Sequence, residues 1–250
     1  MTAAAKIIST LESLGDERQR AILQRFFKTG KGEYGEGDIF LGIKVPQVRL
    51  VVKSARLDVP FSEIEILLHS KMHEVRLCGF LLLVEEMKDA SSRRKASESA
   101  SRRDRIARFY LDHARCANNW DLVDLSSGYI IGSWLLQPSE DGCLPNRDIL
   151  DRLAVSDNLW EQRIAIVSTS ALIRAGQFDD TLRIADMLLS HPHDLIHKAV
   201  GWMLREVGKR DIAVLRDYLG ANHRRMARTT LRYAIERMSP DERRQWMTKS

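Results

Sequence analysis

The 250-residue chain is 44% hydrophobic and 29% charged, a composition that fits a globular protein with a sizeable core. No apolar run reaches membrane-spanning length, and the first residues lack the apolar segment of a signal peptide, so we expect a cytoplasmic protein. Cys78, Cys116 and Cys143 are too few and too widely spaced for a disulfide framework or a thiolate metal site.

The net charge of +5 is unevenly distributed along the chain. Residues 202–250 contain twelve Lys/Arg against six Asp/Glu, and residues 93–108 contain seven against two, so the remainder is acidic. We interpret 93–108, which also contains serines, as a flexible basic connection. The asymmetry predicts a polyanionic partner on one face, and chance variation of surface charge is the alternative.

Apolar residues recur at three- and four-residue intervals almost throughout the chain, which predicts an all-helical protein. Pro46, Pro145 and Pro240 lie at first-turn positions, and Gly176 and Gly220 follow predicted helices. The predicted helices are 5–15, 17–27, 46–57, 61–69, 72–88, 100–117, 119–136, 146–154, 158–175, 179–189, 193–209, 211–220, 223–238 and 240–248.

Polar residues at the start of apolar helices recur at intervals of 48, 39, 35 and 30 residues, close to the repeat length of HEAT-type helix pairs. These intervals predict an all-α, single-domain solenoid of HEAT-like repeats over residues 1–250. Its inner helices would bring the repeated side chains onto one basic concave surface. The repeated residues are Arg76, Asp124, Arg163, Lys198 and Arg228.

The stretch from Asn118 to Asp124 carries the first functional pattern. In a helix, Trp120 and Asp124 project from one face, with Ser127 next along it. A tryptophan outside the core beside an acid suggests a binding or catalytic site, and a solvated acid on an amphipathic helix is the alternative. The opposite, apolar positions, which we expect in the core, are Leu122, Leu125 and Tyr129.

A second tryptophan lies among cations on the predicted helix 193–209. Lys198, Trp202, Arg205 and Lys209 share one stripe of this helix. Lys and Arg at this spacing suit the phosphates of a nucleic-acid backbone, and an aromatic face between them suits a sugar or base. A tryptophan at the edge of the core is the alternative. The apolar stripe consists of Ile196, Val200, Met203, Leu204 and Val207.

Four sequence blocks, in this order, resemble the AlkD family of DNA alkylation repair enzymes, over about residues 17 to 238. The blocks are Phe40-Leu41-Gly42-Ile43-Lys44-Val45-Pro46, Asn119-Trp120 with Asp124, Asn158-Leu159-Trp160 with Arg163, and Lys198-Ala199-Val200-Gly201-Trp202-Met203-Leu204-Arg205-Glu206. The resemblance implies a HEAT-like α-solenoid that removes N3- and N7-alkylated purines from double-stranded DNA without flipping the base into a pocket.

The resemblance also implies roles for individual residues. Asp124, Trp120 and Trp202 match the catalytic cluster of the family, and Arg163 matches its active-site arginine. The matched or predicted DNA-binding residues are Lys198, Arg205, Lys209, Arg228 and Tyr34. Tyr34 is the candidate for the family's N-terminal tyrosine, although the glycine-rich loop 29–38 is spaced differently from the corresponding segment of the family. The alternative interpretation of this loop is a mobile surface loop.

One acid suffices for this chemistry. A neutral leaving group needs a second carboxyl to protonate it, whereas a cationic alkylpurine departs neutral. A single carboxylate such as Asp124 can then stabilise the positive sugar and position water. Two tryptophan faces against the sugar would each add about 0.5–2 kcal/mol by cation–π attraction.

Other functions fit the sequence less well. His191, His193 and His197 lack a cysteine or carboxylate to complete a metal site, so we expect no metal and no cofactor. We expect a monomer that binds double-stranded DNA and no membrane. The alternative is a non-catalytic HEAT-repeat module that binds damaged or branched DNA, or a protein-binding scaffold.

Overall fold

The structure, a computed structural model, describes residues 1–92 and 99–248, and its regular elements there are all helices. This confirms the predicted all-α class. Within these ranges no helix is long and apolar enough to cross a membrane. The internal contacts divide the chain into two compact units, residues 1–126 and 127–250, which are described separately. A single domain over the whole chain therefore stays a prediction.

The first unit is built around one long helix, α5, which is buried on nearly every side. A helix that is apolar around most of its circumference belongs inside a core. α5 packs against α3, α4 and α6, and its N-terminal end meets α7. The helices of this unit are α1 (Ala3–Ser13), α2 (Glu17–Phe26), α3 (Val45–Ala55), α4 (Phe61–Leu68), α5 (His73–Ala90), α6 (Ala100–Asp112) and α7 (Trp120–Asp124), with a 3-10 turn at Ala114–Cys116.

In the second unit, helices pack against helices one or two places away along the chain, a pattern typical of helical repeats. α10 lies among α8, α9, α11 and α12, and α12 packs against α13 and α14. The helices are α8 (Ser127–Trp134), α9 (Asp148–Ala154), α10 (Leu159–Arg174), α11 (Asp179–Leu188), α12 (Asp194–Arg210), α13 (Ile212–Asn222), α14 (Arg228–Ala234) and α15 (Pro240–Thr248), with a 3-10 turn at His223–Arg225.

The predicted helix 119–136 is wrong as one element, because the chain leaves the helix after Asp124. The Ser126 hydroxyl donates to the Leu122 carbonyl at 2.5 Å and lies 3.0 Å from the Tyr110 hydroxyl. A side chain bonded to the backbone in this way competes with continued helix.

The expected faces change beyond this break. Ser127, predicted to lie beside Trp120 and Asp124, is fully buried, whereas Tyr129, predicted to be in the core, is 44% exposed. Two glycines of α8 face α10, because a Cβ at Gly132 would lie 2.3 Å from the Ser168 carbonyl oxygen. The glycine face of α8, and not the face of Tyr129, therefore packs inward.

The interpretation of residues 93–108 as a flexible basic connection is also wrong where the structure describes it. Residues 93–98 lie outside the described ranges, but 100–108 belong to α6. Arg102 forms ion pairs with Glu86 and Asp89 of α5. Arg103 is almost fully buried, and it donates to the Ala90 carbonyl at 3.2 Å. These arginines hold α6 against α5.

Candidate functional site

The candidate site of the first unit begins at the N-terminus of α7. The Asn119 side chain caps this helix by accepting a hydrogen bond from the Trp120 backbone N–H at 2.9 Å. Trp120 and Asp124 are both half-buried, whereas Leu122 between them is fully buried. The structure therefore confirms that the tryptophan and the carboxylate project from the partly exposed face of this turn.

Trp120 is the outer member of a stack of aromatic rings. Its ring lies parallel to Phe27 with centroids 5.2 Å apart, and Phe27 stacks in turn on Phe40 at 5.0 Å. Phe40 stacks on the imidazole of His73 at 4.3 Å. Phe26, which is 59% exposed, approaches Trp120 edge-on at 6.0 Å. The stack fixes the orientation of the Trp120 ring, which is half-buried.

A cavity of about 430 Å³ opens beside this stack. Trp120, Phe26 and Phe27 form its aromatic wall, and Leu125 contributes an apolar side chain. Asp124 also lines the cavity, so its carboxylate lies at the edge of an apolar recess. Charge–charge attraction is stronger in such surroundings than in water.

His73 lies beneath the cavity between two carboxylates. Its Nδ1 is 2.8 Å from Asp38 and its Nε2 is 2.9 Å from Asp121, and all three side chains are buried. Burial lowers the pKa of His73, but the charge and hydrogen bond of Asp121, together with Asp38, outweigh this effect and raise the pKa to about 9. His73 is therefore a buried imidazolium at neutral pH.

Arg76 completes this ionic network. It forms an ion pair with Asp38 and donates to the Ser70 carbonyl at 2.7 Å and to the Asn118 side chain at 3.0 Å. Burial raises the pKa of Asp38, but His73 and Arg76 hold it below its usual value. Because Asp121 belongs to α7 and Asn118 precedes it, the network fixes the helix that carries Trp120 and Asp124.

Most of the glycine-rich loop 29–38 is exposed, as expected of a surface loop, but it is anchored to the site at Gly35 and Asp38. Gly35 is buried, and a Cβ there would lie 2.4 Å from the Phe27 carbonyl oxygen. The loop ends at Asp38, the buried partner of His73. Tyr34, predicted to bind DNA, is half-buried and is not among the residues that line the cavity. Its role stays a prediction.

In the second unit, α12 separates the predicted stripes. The apolar residues predicted for its core face, from Ile196 to Val207, are all buried. Trp202 and Arg205 are half-buried and Lys209 is exposed, which confirms that they lie outside the core stripe. Beside Trp202, Gly201 permits the close approach of α14, because a Cβ there would lie 2.5 Å from the Thr230 carbonyl oxygen.

The cations of this stripe already have carboxylate partners within the unit. Lys198 Nζ lies 2.7 Å from Asp194, and Lys209 Nζ lies 2.7 Å from Glu206. Arg205 is ion-paired with Glu236. Exposed ion pairs contribute about 0–1 kcal/mol, so a phosphate can replace such partners at little cost. On α14, Arg228 is exposed and donates to the Met247 carbonyl at 2.8 Å.

Two of the repeated basic residues do not lie on a surface. Arg163 is only 5% exposed, and its guanidinium donates to the Leu195 carbonyl at 2.5 Å. Arg76 is 6% exposed within the ionic network. The prediction of one continuous surface series is wrong for these two positions, because a buried guanidinium needs internal acceptors. The predicted catalytic role of Arg163 stays a prediction.

Sequence reasoning missed the support beneath Trp120. Phe26 and Phe27 stand at the end of a predicted helix and were not distinguished from ordinary core residues. The one available signal was the density of charge in a buried segment: His73, Glu74 and Arg76 begin a helix whose remaining residues are mostly apolar. Charged residues entering such a helix need buried partners, here Asp38 and Asp121 for His73.

Two of the four tryptophans of the second unit, Trp160 and Trp202, give a test of surface location. We expect Trp160→Ala, at a site 7% exposed, to cost about 3–5 kcal/mol in free energy of unfolding. Trp202→Ala, at a half-buried site, should cost clearly less but weaken DNA binding by about 1–3 kcal/mol. Urea unfolding and DNA titration measure the two quantities. Equal destabilisation by both substitutions would place Trp202 in the core.

The first unit thus presents an aromatic recess lined by Asp124 and also by Asp121 and Glu74, whose carboxylates are bonded to His73 and to backbone N–H groups. The second unit presents a tryptophan among cations, and both belong to an all-α protein of packed helix repeats. The family model for DNA alkylation repair enzymes matches residues 7–238. The chain belongs to this family, which confirms the resemblance seen in its sequence blocks. The family assigns the chain to repair of alkylation damage in DNA and to an enzymatic role.

A solved structure titled as a predicted DNA alkylation repair enzyme from Enterococcus faecalis has a similar fold. Its TM-score is 0.64 at 15% sequence identity, and the match covers 90% of this chain and 97% of that chain. At this identity the likeness supports the fold alone. No curated protein matches the sequence significantly.

Proposed function

We propose that this protein is a DNA glycosylase that hydrolyses the N-glycosidic bond of cationic N3- and N7-alkylated purines in double-stranded DNA. The observation that carries the proposal is the pairing of Trp120 with Asp124 at the edge of an apolar recess, on a helix fixed by a buried ionic network. The family match supports the repair of alkylation damage, and the glycosidic reaction is the step that this arrangement fits.

The proposed mechanism assigns the charge chemistry to Asp124. As the bond between sugar and base lengthens, positive charge develops on the deoxyribose and the alkylpurine leaves as a neutral base. The Asp124 carboxylate stabilises the oxocarbenium ion and accepts a hydrogen bond from the attacking water. The indole face of Trp120 adds cation–π attraction to the same charge. No acid is needed for the leaving group, so one carboxylate suffices.

The second unit supplies the proposed contacts to the DNA backbone. Lys198, Arg205 and Lys209 on α12 and Arg228 on α14 are the proposed phosphate ligands, with Trp202 against a sugar or base. Their exposed or half-buried positions support this assignment. The active-site role of Arg163 and the DNA-binding role of Tyr34 stay predictions from the family motifs. The monomeric state also stays a prediction.

The experiment that tests the proposal is release of free bases from methylated DNA by the purified protein. We expect time-dependent release of 3-methyladenine and 7-methylguanine, measured by chromatography, with no release from unmodified DNA. DNA binding without release of either base would instead support a non-catalytic module for damaged or branched DNA. If the protein neither binds DNA nor releases a base, the alternative that remains is a protein-binding scaffold.

Binding to DNA should depend strongly on salt. We expect the affinity for a duplex to fall about tenfold or more between 50 and 200 mM salt, because phosphate contacts release counterions. The double variant Lys198→Gln/Lys209→Gln should bind more weakly and flatten the slope by about two charges. Arg216→Gln is the control, since Arg216 lies on α13, outside this stripe, and pairs with Glu242 of α15. An equal effect of all these substitutions would contradict a specific phosphate-binding stripe.

A further inference from the structure

Outside the candidate site, Glu65, His69 and His113 gather at one place in the first unit. Among the residues that the structure describes, these three side chains bring one ligand atom each within 4.8 Å of one another. The rings of His69 and His113 meet edge to face with centroids 5.5 Å apart, and His113 Nε2 lies 3.3 Å from the Glu65 carboxylate. The proposed repair function uses none of these residues.

Two different elements contribute to the cluster. Glu65 lies in the last turn of α4 and His69 directly follows that helix, so the four-residue spacing presents both on one side. His113 directly follows α6. The group therefore joins the C-terminal ends of two helices, where the helix dipole favours a cation.

Both imidazoles are oriented by the backbone in the way that metal-binding histidines are. His69 Nδ1 lies 2.9 Å from the Glu65 carbonyl oxygen, and His113 Nδ1 lies 2.8 Å from the Phe109 carbonyl oxygen. A carbonyl can only accept, so each Nδ1 carries a proton, and in the neutral form of each ring the lone pair is on Nε2. Hydrogen bonds of this kind fix the tautomer and direction of metal-ligating histidines.

The other histidine cluster of the chain lacks this arrangement. His193 Nδ1 accepts from the Leu195 N–H, and His191 Nδ1 accepts from the His193 N–H. In these two rings the Nδ1 lone pairs serve to cap α12 and the turn before it. The carboxylate that follows His193, that of Asp194, is paired with Lys198. The comparison distinguishes rings that serve as caps from rings that present Nε2.

We infer that Glu65, His69 and His113 form a binding site for a divalent transition-metal ion, of which Zn²⁺ is the best fit. Two imidazoles and one carboxylate are ligands that zinc accepts, at about 2.0–2.2 Å each, with water completing a tetrahedron. Ligand atoms of such a site stand roughly 3.3 Å apart, so the exposed Glu65 and His69 and the half-buried His113 need only small rotations to close on an ion. The bound ion would join the end of α4 to the end of α6.

Titration of the full-length protein with Co²⁺, a spectroscopic substitute for Zn²⁺, tests the site. We expect one equivalent to bind with the intense visible absorption of tetrahedral coordination, and one equivalent of Zn²⁺ to displace it. His69→Ala/His113→Ala should abolish this signal, and Glu65→Gln should weaken binding at least tenfold. His191→Ala/His197→Ala is the matched control and should bind as the wild type does.

Histidine NMR of the wild type is a second measurement, and it does not depend on how the variants fold. Histidine-selective NMR of the wild type should show Zn²⁺ perturbing the Nε2 signals of His69 and His113 first, while His223 is unchanged. The melting temperature of the wild type should rise with Zn²⁺ and stay constant in the double variant. Absence of one-to-one binding, or binding that survives loss of His69 and His113, would overturn the site.

Discussion

Asp124→Asn is expected to lower the rate of 7-methylguanine excision by about 100-fold or more, the loss typical of removing one electrostatic contact to a transition state. The amide keeps the size of the side chain but cannot offset the positive charge that develops on the sugar. Affinity for unmodified DNA should stay the same or rise, because a negative charge facing phosphates has been removed. Single-turnover excision and equilibrium DNA binding measure the two effects.

The matched control for this prediction is Asp112→Asn, which removes an exposed carboxylate from the end of α6 in the same unit. Its excision rate should equal that of the wild type. If Asp124→Asn excises as fast as the wild type, Asp124 has no catalytic role. If the wild type itself releases no cationic alkylpurine, the glycosylase proposal fails as a whole.

The sequence predicted most helices because periodic burial and local caps act over a few residues. Asn158 is an example: its side chain accepts hydrogen bonds from the Trp160 and Glu161 N–H groups, so the start of α10 is encoded locally. The spacing of apolar residues along α12 likewise predicted that Trp202 lies outside the core face of this helix. In both cases, three to five neighbouring residues contain the information.

The break after Asp124 could not be predicted in this way. It depends on Tyr110, which lies sixteen residues before Ser126 in sequence and contacts it. It also depends on the close packing of the α8 glycines against α10. Periodicity does not encode either partner. The sequence pattern of one continuous helix is therefore interrupted in the structure by contacts between residues that are distant in sequence.

The supporting network beneath the site was hidden for the same reason. Asp38 and Asp121 are separated from His73 by 35 and 48 residues, so no local motif connects them. Asp121 looked like a first-turn acid at a helix N-terminus, a common surface position. Only the fold reveals that it neutralises a buried imidazolium and thereby fixes the helix of Trp120.

Substitution of His73 is expected to cause a large loss of stability. His73→Phe keeps a ring to stack on Phe40 but removes the positive charge between Asp38 and Asp121. Breaking a buried ion pair on one side costs about 3–5 kcal/mol in free energy of unfolding, because the remaining charge stays buried. Adding Asp121→Asn to this variant should restore part of the loss. Further destabilisation by the second substitution would contradict the ion pair.

The raised pKa of His73 predicts that the free energy of unfolding depends on pH. The pKa of His73 is about 9 in the folded chain, against an ordinary value of 6.5. The folded state therefore binds this proton more tightly, so its stabilising contribution is complete below about pH 6.5 and is lost as the pH rises through about 9. We expect the wild type to lose stability across this window, and His223→Phe, a control in the second unit, to follow it. His73→Phe should lack this loss, as measured by urea unfolding at each pH. A wild-type slope retained in His73→Phe would assign the pH dependence to another group.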